Sequence, residues 1–467
     1  MGNSLNKNFN ALQCIVGFFL ESKCTPEVVV ELLSHMGISV STQTNRNIVD
    51  SLTKSARLRN KNLPDSMFIY DNFDLDFKVA QPTLGHTGTH ISMTSATSSF
   101  APYSTNCEMA DLRYTKELRE TSRFNKDIIP GDPRVYTPRV RDIVPQYDCT
   151  VGVDPLIKVF TWHLQAILVQ QEPGFEIFKL ELGLPDVVDA LPVVKTRQFP
   201  ANAINADEGQ NDGNWQVLES LLEQSSVSTE KLEESVVLIH GDLATKERID
   251  GLRKMRCIEH SAKNRLDWVV FVPGLFHLKM AATDAFWRIH VEPAAGRDDT
   301  TGFFEYIRHL RAKETGKFVS EPGFRRMHDA IHHATWVDVL DCWRLEAGFI
   351  GHRNLKEFAQ SKPDWETIEN MSNTIFKKYL PGADFADNRD LSDGNRDKVF
   401  ENVALRKQHG LMYLELSHAM NHGDVGRILR LWPYWIAIFK STGKFKYTAH
   451  MIQFITDLDH VYPPRLR

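Results

Sequence analysis

Met67-Phe68-Ile69-Tyr70-Asp71-Asn72 and Val236-Val237-Leu238-Ile239-His240-Gly241-Asp242 are two short apolar runs that each end in an aspartate. Runs of this length, rich in β-branched and aromatic residues and bounded by turn formers, read as buried strands. A carboxylate at the end of a buried strand costs desolvation free energy unless something compensates it. Two of them on separate strands can converge on one divalent cation, because carboxylate oxygens suit Mg2+ or Mn2+. The ordinary alternative stays open, with Asp71-Asn72 as a turn and Gly241-Asp242 as a loop beside a helix cap.

Working outward, Trp268-Val269-Val270-Phe271-Val272 is a third buried strand, stopped by Pro273-Gly274. Thr89-His90-Ile91-Ser92-Met93-Thr94 alternates as a fourth. Strands at about 67–72, 89–95, 236–240 and 268–272 are expected in one mixed sheet. Residues 1–62 read as a small helical N-terminal region, with Leu12, Ile15, Val16, Phe19 and Leu20 on one face and a helix start at Thr25-Pro26-Glu27. Its short helices admit either a helix-turn-helix DNA reader or simple packing on the domain. Residues 63–300 read as an α/β core with an irregular insertion at about 101–230, where Glu176 to Leu184 is the clearest regular piece and Asn205 to Asn214 is a polar loop. A helix follows from Trp215, and Thr245 can cap another that runs to Lys254. Residues 301–467 form a large, mostly α-helical region, interrupted by an acidic loop from Asp384 to Asp397.

The apolar share of 42% and charged share of 25% are those of an ordinary folded chain, long enough for two or three domains. A formal charge of −5 argues against a generally basic nucleic-acid binder but leaves room for a local basic groove. Six cysteines, none in a Cys-x-x-Cys pair, disfavour a zinc ribbon and fit a reducing, intracellular compartment. No apolar run reaches membrane-spanning length, so no membrane partner is expected. Met1-Gly2 to Asn6 lacks the Ser or Thr of a myristoylation signal and reads as an ordinary terminus.

Other groups carry chemistry more weakly. His277, after the third strand, is placed to position a phosphate or ligate a metal, though a lone His near a helix start is more often a core residue. His328-Asp329-Ala330-Ile331-His332 mimics a zinc-protease helix, but Asp stands where Glu belongs, and packing explains the helix. Arg253, Lys254, Arg256, Lys263 and Arg265 form the best basic cluster, either a contact for a nucleic-acid backbone or a solvated face.

Tyr70-Asp71-Asn72-Phe73-Asp74-Leu75, Gly241-Asp242-Leu243-Ala244-Thr245 with Arg248, Pro273-Gly274-Leu275-Phe276-His277 and Ala419-Met420-Asn421-His422-Gly423-Asp424 together resemble a fungal domain family of unknown function. Its pattern is in turn similar to transposon-derived, integrase-type nucleases. The resemblance to the domain family covers roughly residues 30 to 467. The similarity to the nucleases implies an RNase H-like core, with one Asp on the first strand, another after the fourth and a final acid on a late helix. Asp71 and Asp242 match the first two, and His277 matches a His that some transposases carry. Glu415, in Tyr413-Leu414-Glu415-Leu416, is the candidate for the last. The family pattern also implies an acidic helix downstream of Tyr462-Pro463-Pro464, whereas the sequence stops at Arg467. The resemblance thus implies Mg2+- or Mn2+-dependent strand transfer or cleavage of DNA, held by Asp71 and Asp242, and a nuclear location if DNA is bound. The alternative is a non-catalytic descendant that binds nucleic acid or protein. Nothing in the sequence fixes an oligomeric state.

Overall fold

The computed structural model describes residues 10–61, 63, 67–77, 88–100, 112–129, 131–143 and 155–467. They fall into two units. One takes in the chain up to Asp132 and then Val194–Pro273; the other takes in Pro133–Val193 and Gly274–Arg465. The N-terminal helical region therefore belongs with the sheet. The boundary at Pro273 falls inside the span 63–300, and the insertion is divided between the two units.

The first unit is built on β1 (Met67–Phe77), β2 (Thr89–Ser99), β3 (Gln198–Pro200), β4 (Val237–Gly241) and β5 (Val269–Pro273). They form one mixed sheet in the order β3-β2-β1-β4-β5, as the runs of apolar residues predict for four of them. β1 and β2 pair antiparallel along their full length, from Met67 opposite Ser99 to Phe77 opposite Thr89. β4 runs parallel to both β1 and β5. β1 is buried on one face only: Phe68 and Tyr70 are in the core, while Ile69 is 41% exposed. Helices Asn211–Gln224 and Leu243–Met255 pack together, and their Val217, Leu218, Leu221, Leu222, Ile249 and Leu252 join Phe68, Ile239, Trp268 and Phe271 in one apolar cluster. Three N-terminal helices, Ala11–Ser22, Glu27–His35 and Thr42–Asn60, complete the description of this unit's start.

The second unit is helical, as expected for the later chain. Its long members are Gly323–Phe349, Trp365–Tyr379, Lys398–His422 and Val425–Ser441, together with Leu275–His290 and Pro155–Gln171. They enclose a core that includes Trp343, Tyr413, Trp432 and Trp435. Helix Pro155–Gln171 is absent from the sequence reading of the insertion. Between Phe160 and Val169 nearly every residue is buried, so its apolar residues fall on most sides rather than along one stripe. A helix of that kind shows no stripe of period 3.6. The expected acidic loop also proves partly helical, over Ala383–Asp390, and Asp397 caps the next helix through Phe400 N–H. That short helix has no apolar stripe either. No helix among the described residues is long and apolar enough to cross a membrane.

Within this unit, residues 188–191 lie along the turn at Gly423-Asp424. The Asp424 carboxylate accepts from the backbone N–H of Val188, Asp189 and Arg427. Burial opposes ionisation of Asp424, yet these three donors together hold its carboxyl below the ordinary range.

Candidate active site

Asp71 is not at the end of its strand. β1 continues to Phe77 because β2 goes on pairing with it after the shorter β4 has stopped. The parallel register sets Phe68 opposite Ile239 and Ile69 opposite His240. Asp71 stands two residues further along β1, and Asp242 two residues past His240, just after β4 ends. The parallel pairing thus brings these two aspartates level. Asp71 is exposed. Its Oδ1 accepts from the Asn72 N–H at 2.9 Å.

Asp242 is the N-cap of helix Leu243–Met255, a role the sequence suggested for Thr245. Its Oδ1 accepts from Thr245 N–H at 2.8 Å and from the Thr245 hydroxyl at 3.0 Å. Asp satisfies two donors this way. The turn is tight, since a Cβ on Gly241 would lie 2.8 Å from the Thr245 methyl. The structure therefore gives Asp242 the bland role considered for it, and places it beside a third carboxylate.

That third carboxylate is Glu208, in the polar stretch before helix Asn211–Gln224. It is only 6% exposed. The Thr245 hydroxyl lies 3.3 Å from its Oε2. Burial, then the charges of Asp242 and Asp71, push its pKa up from the ordinary 4.5 to about 7, against the opposing pull of the Thr245 hydroxyl and the Asn72 N–H. One side chain thus senses both strand aspartates. Its position is fixed from below. Asn214 Nδ2 donates to the Glu208 carbonyl at 3.3 Å, and the buried Tyr70 hydroxyl donates to Asn214 Oδ1 at 3.0 Å. Burial, with the charges of Glu208 and Asp242 added, lifts the Tyr70 hydroxyl well above its ordinary range, so it stays a donor. Gly213 lets the loop settle onto the helix start, because a Cβ there would come within 1.8 Å of the Asp207 carbonyl oxygen.

Carboxylates are the donors a hard divalent ion takes, and mutual repulsion is what such an ion relieves. As they stand, however, no three His, Cys, Asp or Glu side chains among the described residues are grouped as ligands of one ion.

The other candidates lie elsewhere. His277 is in the first turn of helix Leu275–His290, in the helical unit, where its carbonyl faces the Tyr447 hydroxyl at 3.4 Å. Glu415 is buried in the same unit. Arg427 grips it twice, Nε to Oε1 at 2.7 Å and Nη2 to Oε2 at 2.5 Å, while His163 Nε2 lies 2.7 Å from Oε2. Burial alone would raise its pKa, but these partners hold it down at about 2. His328 Nδ1 meets the Tyr413 hydroxyl at 2.8 Å, and the two rings of His328 and His332 lie 4.5 Å apart.

Most of the basic cluster is engaged within its own unit. Arg253 donates to the carbonyls of Leu266 and Val269. Arg256 donates to Asn264 and covers the Trp215 ring at 3.8 Å. Arg265 pairs with Asp267 at 2.7 Å, and Lys263 lies 3.8 Å from Glu219. Lys254 is exposed. These arginines tie the chain after helix Leu243–Met255 to β5.

A model of a family of unknown function, DUF6589, matches residues 152–467. No curated protein and no solved structure matches the chain. The matched span includes Glu208 and Asp242 and begins after Asp71.

Proposed function

We propose, for a chain that belongs to the DUF6589 family of unknown function, that the sheet unit is a divalent-metal-dependent phosphoryl-transfer centre of the transposase or integrase kind, acting on DNA. The observation that carries this reading is Glu208, whose carboxyl is pushed to about 7 by burial and by Asp242 and Asp71. Glu208, from the loop before one helix, senses the charges of Asp71 on β1 and Asp242 at the start of another helix, near where β4 ends. In chain order Asp71 is on the first strand and Asp242 follows the fourth, the placement that an RNase H-like core implies.

Asp71, Glu208 and Asp242 would hold the ion, which when bound supplies activation of a water or hydroxyl and charge neutralisation at the phosphate. The protein's own part is positioning. Thr245 and Asn72 orient Glu208, and Tyr70 with Asn214 fixes the loop that carries it. Glu208 takes the place of the late-helix acid that the resemblance implies, because both oxygens of Glu415 are committed to Arg427 and His163.

A non-catalytic binding module is the second reading. It is favoured by the internal engagement of Arg253, Arg256 and Arg265, which leaves few cations of that cluster for a phosphate backbone. Calorimetry with Mn2+ and cleavage of labelled DNA test the two together. Under the first reading, Mn2+ binds, and binding and cleavage are lost in Asp71→Asn, Glu208→Gln and Asp242→Asn. Absence of Mn2+ binding to the wild-type chain would reject the catalytic reading; DNA that is then neither retained nor cleaved would favour the second, as a module that binds protein.

A further inference from the structure

The first two helices of the sheet unit, Ala11–Ser22 and Glu27–His35, form a hairpin that rests on the third, Thr42–Asn60. The far end of the hairpin is tied. The Gln13 carbonyl accepts from the Val40 N–H at 3.3 Å, and the Gln13 amide donates to the Gly37 carbonyl at 3.4 Å. Packing settles which side of each helix faces inward. A Cβ on Gly17 would lie 2.7 Å from Asn45 Oδ1 on the third helix. Val30 is buried, and its carbonyl accepts from the Ser39 hydroxyl at 3.2 Å.

The outward side is apolar. Leu12, Ile15 and Phe19 stand about half a turn round the helix from Gly17, and Val28 and Leu32 stand likewise from Val30, with Met36 continuing their row. These six residues are 60–81% exposed. At that exposure they present roughly 800 Å² to solvent, more than the ~300–600 Å² of the largest apolar patch on an ordinary monomer. It is also the area, about 800 Å², that each partner gives to a protein interface of standard size.

Charge selects the occupant. An anionic lipid surface or a nucleic-acid backbone calls for several cations, and neither helix contains a Lys or Arg. Lys23, just after the first helix, lies 5.9 Å over the Phe19 ring at the rim of the face. A face without charge at its centre meets an identical face with no like-charge repulsion, and a two-fold axis lets both copies bury the same patch. Two hairpins stacked in this way make a four-helix layer with an apolar interior. We infer that the outer face of this hairpin pairs with its counterpart on a second copy of the chain, giving a homodimer joined through the N-terminal helices. The inference does not rest on the acidic centre.

The test is sedimentation of the full chain from nanomolar to micromolar concentration. The wild type should sediment at twice the mass of one chain at the upper end. Ile15→Glu combined with Leu32→Glu should weaken dimerisation by about a hundredfold or more, because carboxylates from both copies would be buried together without a counter-charge. Leu180→Glu, at an exposed apolar residue of the helical unit, should leave the dimer intact. Both altered side chains of the double variant are exposed in one chain, and far-ultraviolet dichroism checks that it is folded. Should it unfold, Val28→Glu, at the most exposed of the six positions, decides alone. A dimer that the face variants do not weaken, or that Leu180→Glu weakens as much, overturns the inference. A wild-type monomer at every concentration overturns it too. If that monomer floats with phosphatidylserine vesicles and the double variant does not, the face belongs to a membrane surface instead.

Discussion

Replacing Glu208 by Gln isolates the electrostatic cost of its position. The Glu208 carboxyl titrates at about 7 in the folded protein, against an ordinary 4.5. The folded state therefore binds more protons than the unfolded state between those values, and stability falls as pH rises through that window. The favourable contribution is complete below pH 4.5 and lost above about pH 7. At 1.36 kcal/mol for each pKa unit the difference is about 3 kcal/mol. Gln mimics the protonated acid and cannot ionise. Wild type and Glu208→Gln should therefore unfold at similar urea concentrations near pH 4.5, and the variant should gain about 3 kcal/mol over wild type by pH 8. Because Asp242 and Asp71 supply part of the effect, Asp242→Asn should recover a share of the same difference in the wild-type background. Mn2+ at pH 8 should stabilise the wild type and leave Glu208→Gln unmoved. Parallel pH profiles for the two proteins would refute the reasoning, because they would mean that Glu208 does not ionise against its neighbours.

Glu415 should behave in the opposite sense. Its carboxyl is held at about 2 by His163 and Arg427, so it contributes stability that is present above pH 4.5 and lost as pH falls through 2. Glu415→Gln should flatten that acid limb and cost about 3–5 kcal/mol near neutrality, because Arg427 is left buried without its counter-charge; urea titration at pH 3 and pH 7 measures both. Gly213→Ala should destabilise by about 1–3 kcal/mol, since its Cβ forces the Asp207 carbonyl away. By moving the loop it should also return the Glu208 titration toward 4.5, which NMR of the carboxyl carbon would follow.

Four of the five strands were legible because their side chains announce them. Met67–Asn72 and Trp268–Val272 are short, β-branched and aromatic, and stop at turn formers. β3 was not, because three residues are too few to show a period. Asp71 and Asp242 could be named from the runs they terminate, but their level alignment is a property of the β1–β4 register, which no local pattern encodes. Glu208 is not legible from the sequence. It lies in a stretch of Asn, Asp, Glu and Gly that reads as a solvated loop, and only the tertiary fold buries it. One signal was present: Gly213, inside the first turn of a helix, marks a close backbone approach just after an acid. Glu415 shows the reverse. It sits in a long helix that looks open to solvent by sequence, and its ion partners are His163, in a helix with no visible stripe, and Arg427, in the next helix.

The strand order has a consequence for how this chain can be divided. The span shared with the DUF6589 family, residues 152–467, holds β3, β4 and β5 but neither β1 nor β2. A fragment cut to that span would leave β4 with β5 but strip it of β1, its other parallel neighbour, and strip β3 of its antiparallel neighbour β2. Phe68 and Tyr70 would leave the apolar cluster, and the N–H and C=O groups of β4 that face β1 would become an open edge, inviting pairing with a second molecule. The stretch by which relatives are recognised is therefore shorter than the stretch that closes this sheet. Any piece meant to carry the acidic centre must begin before Met67.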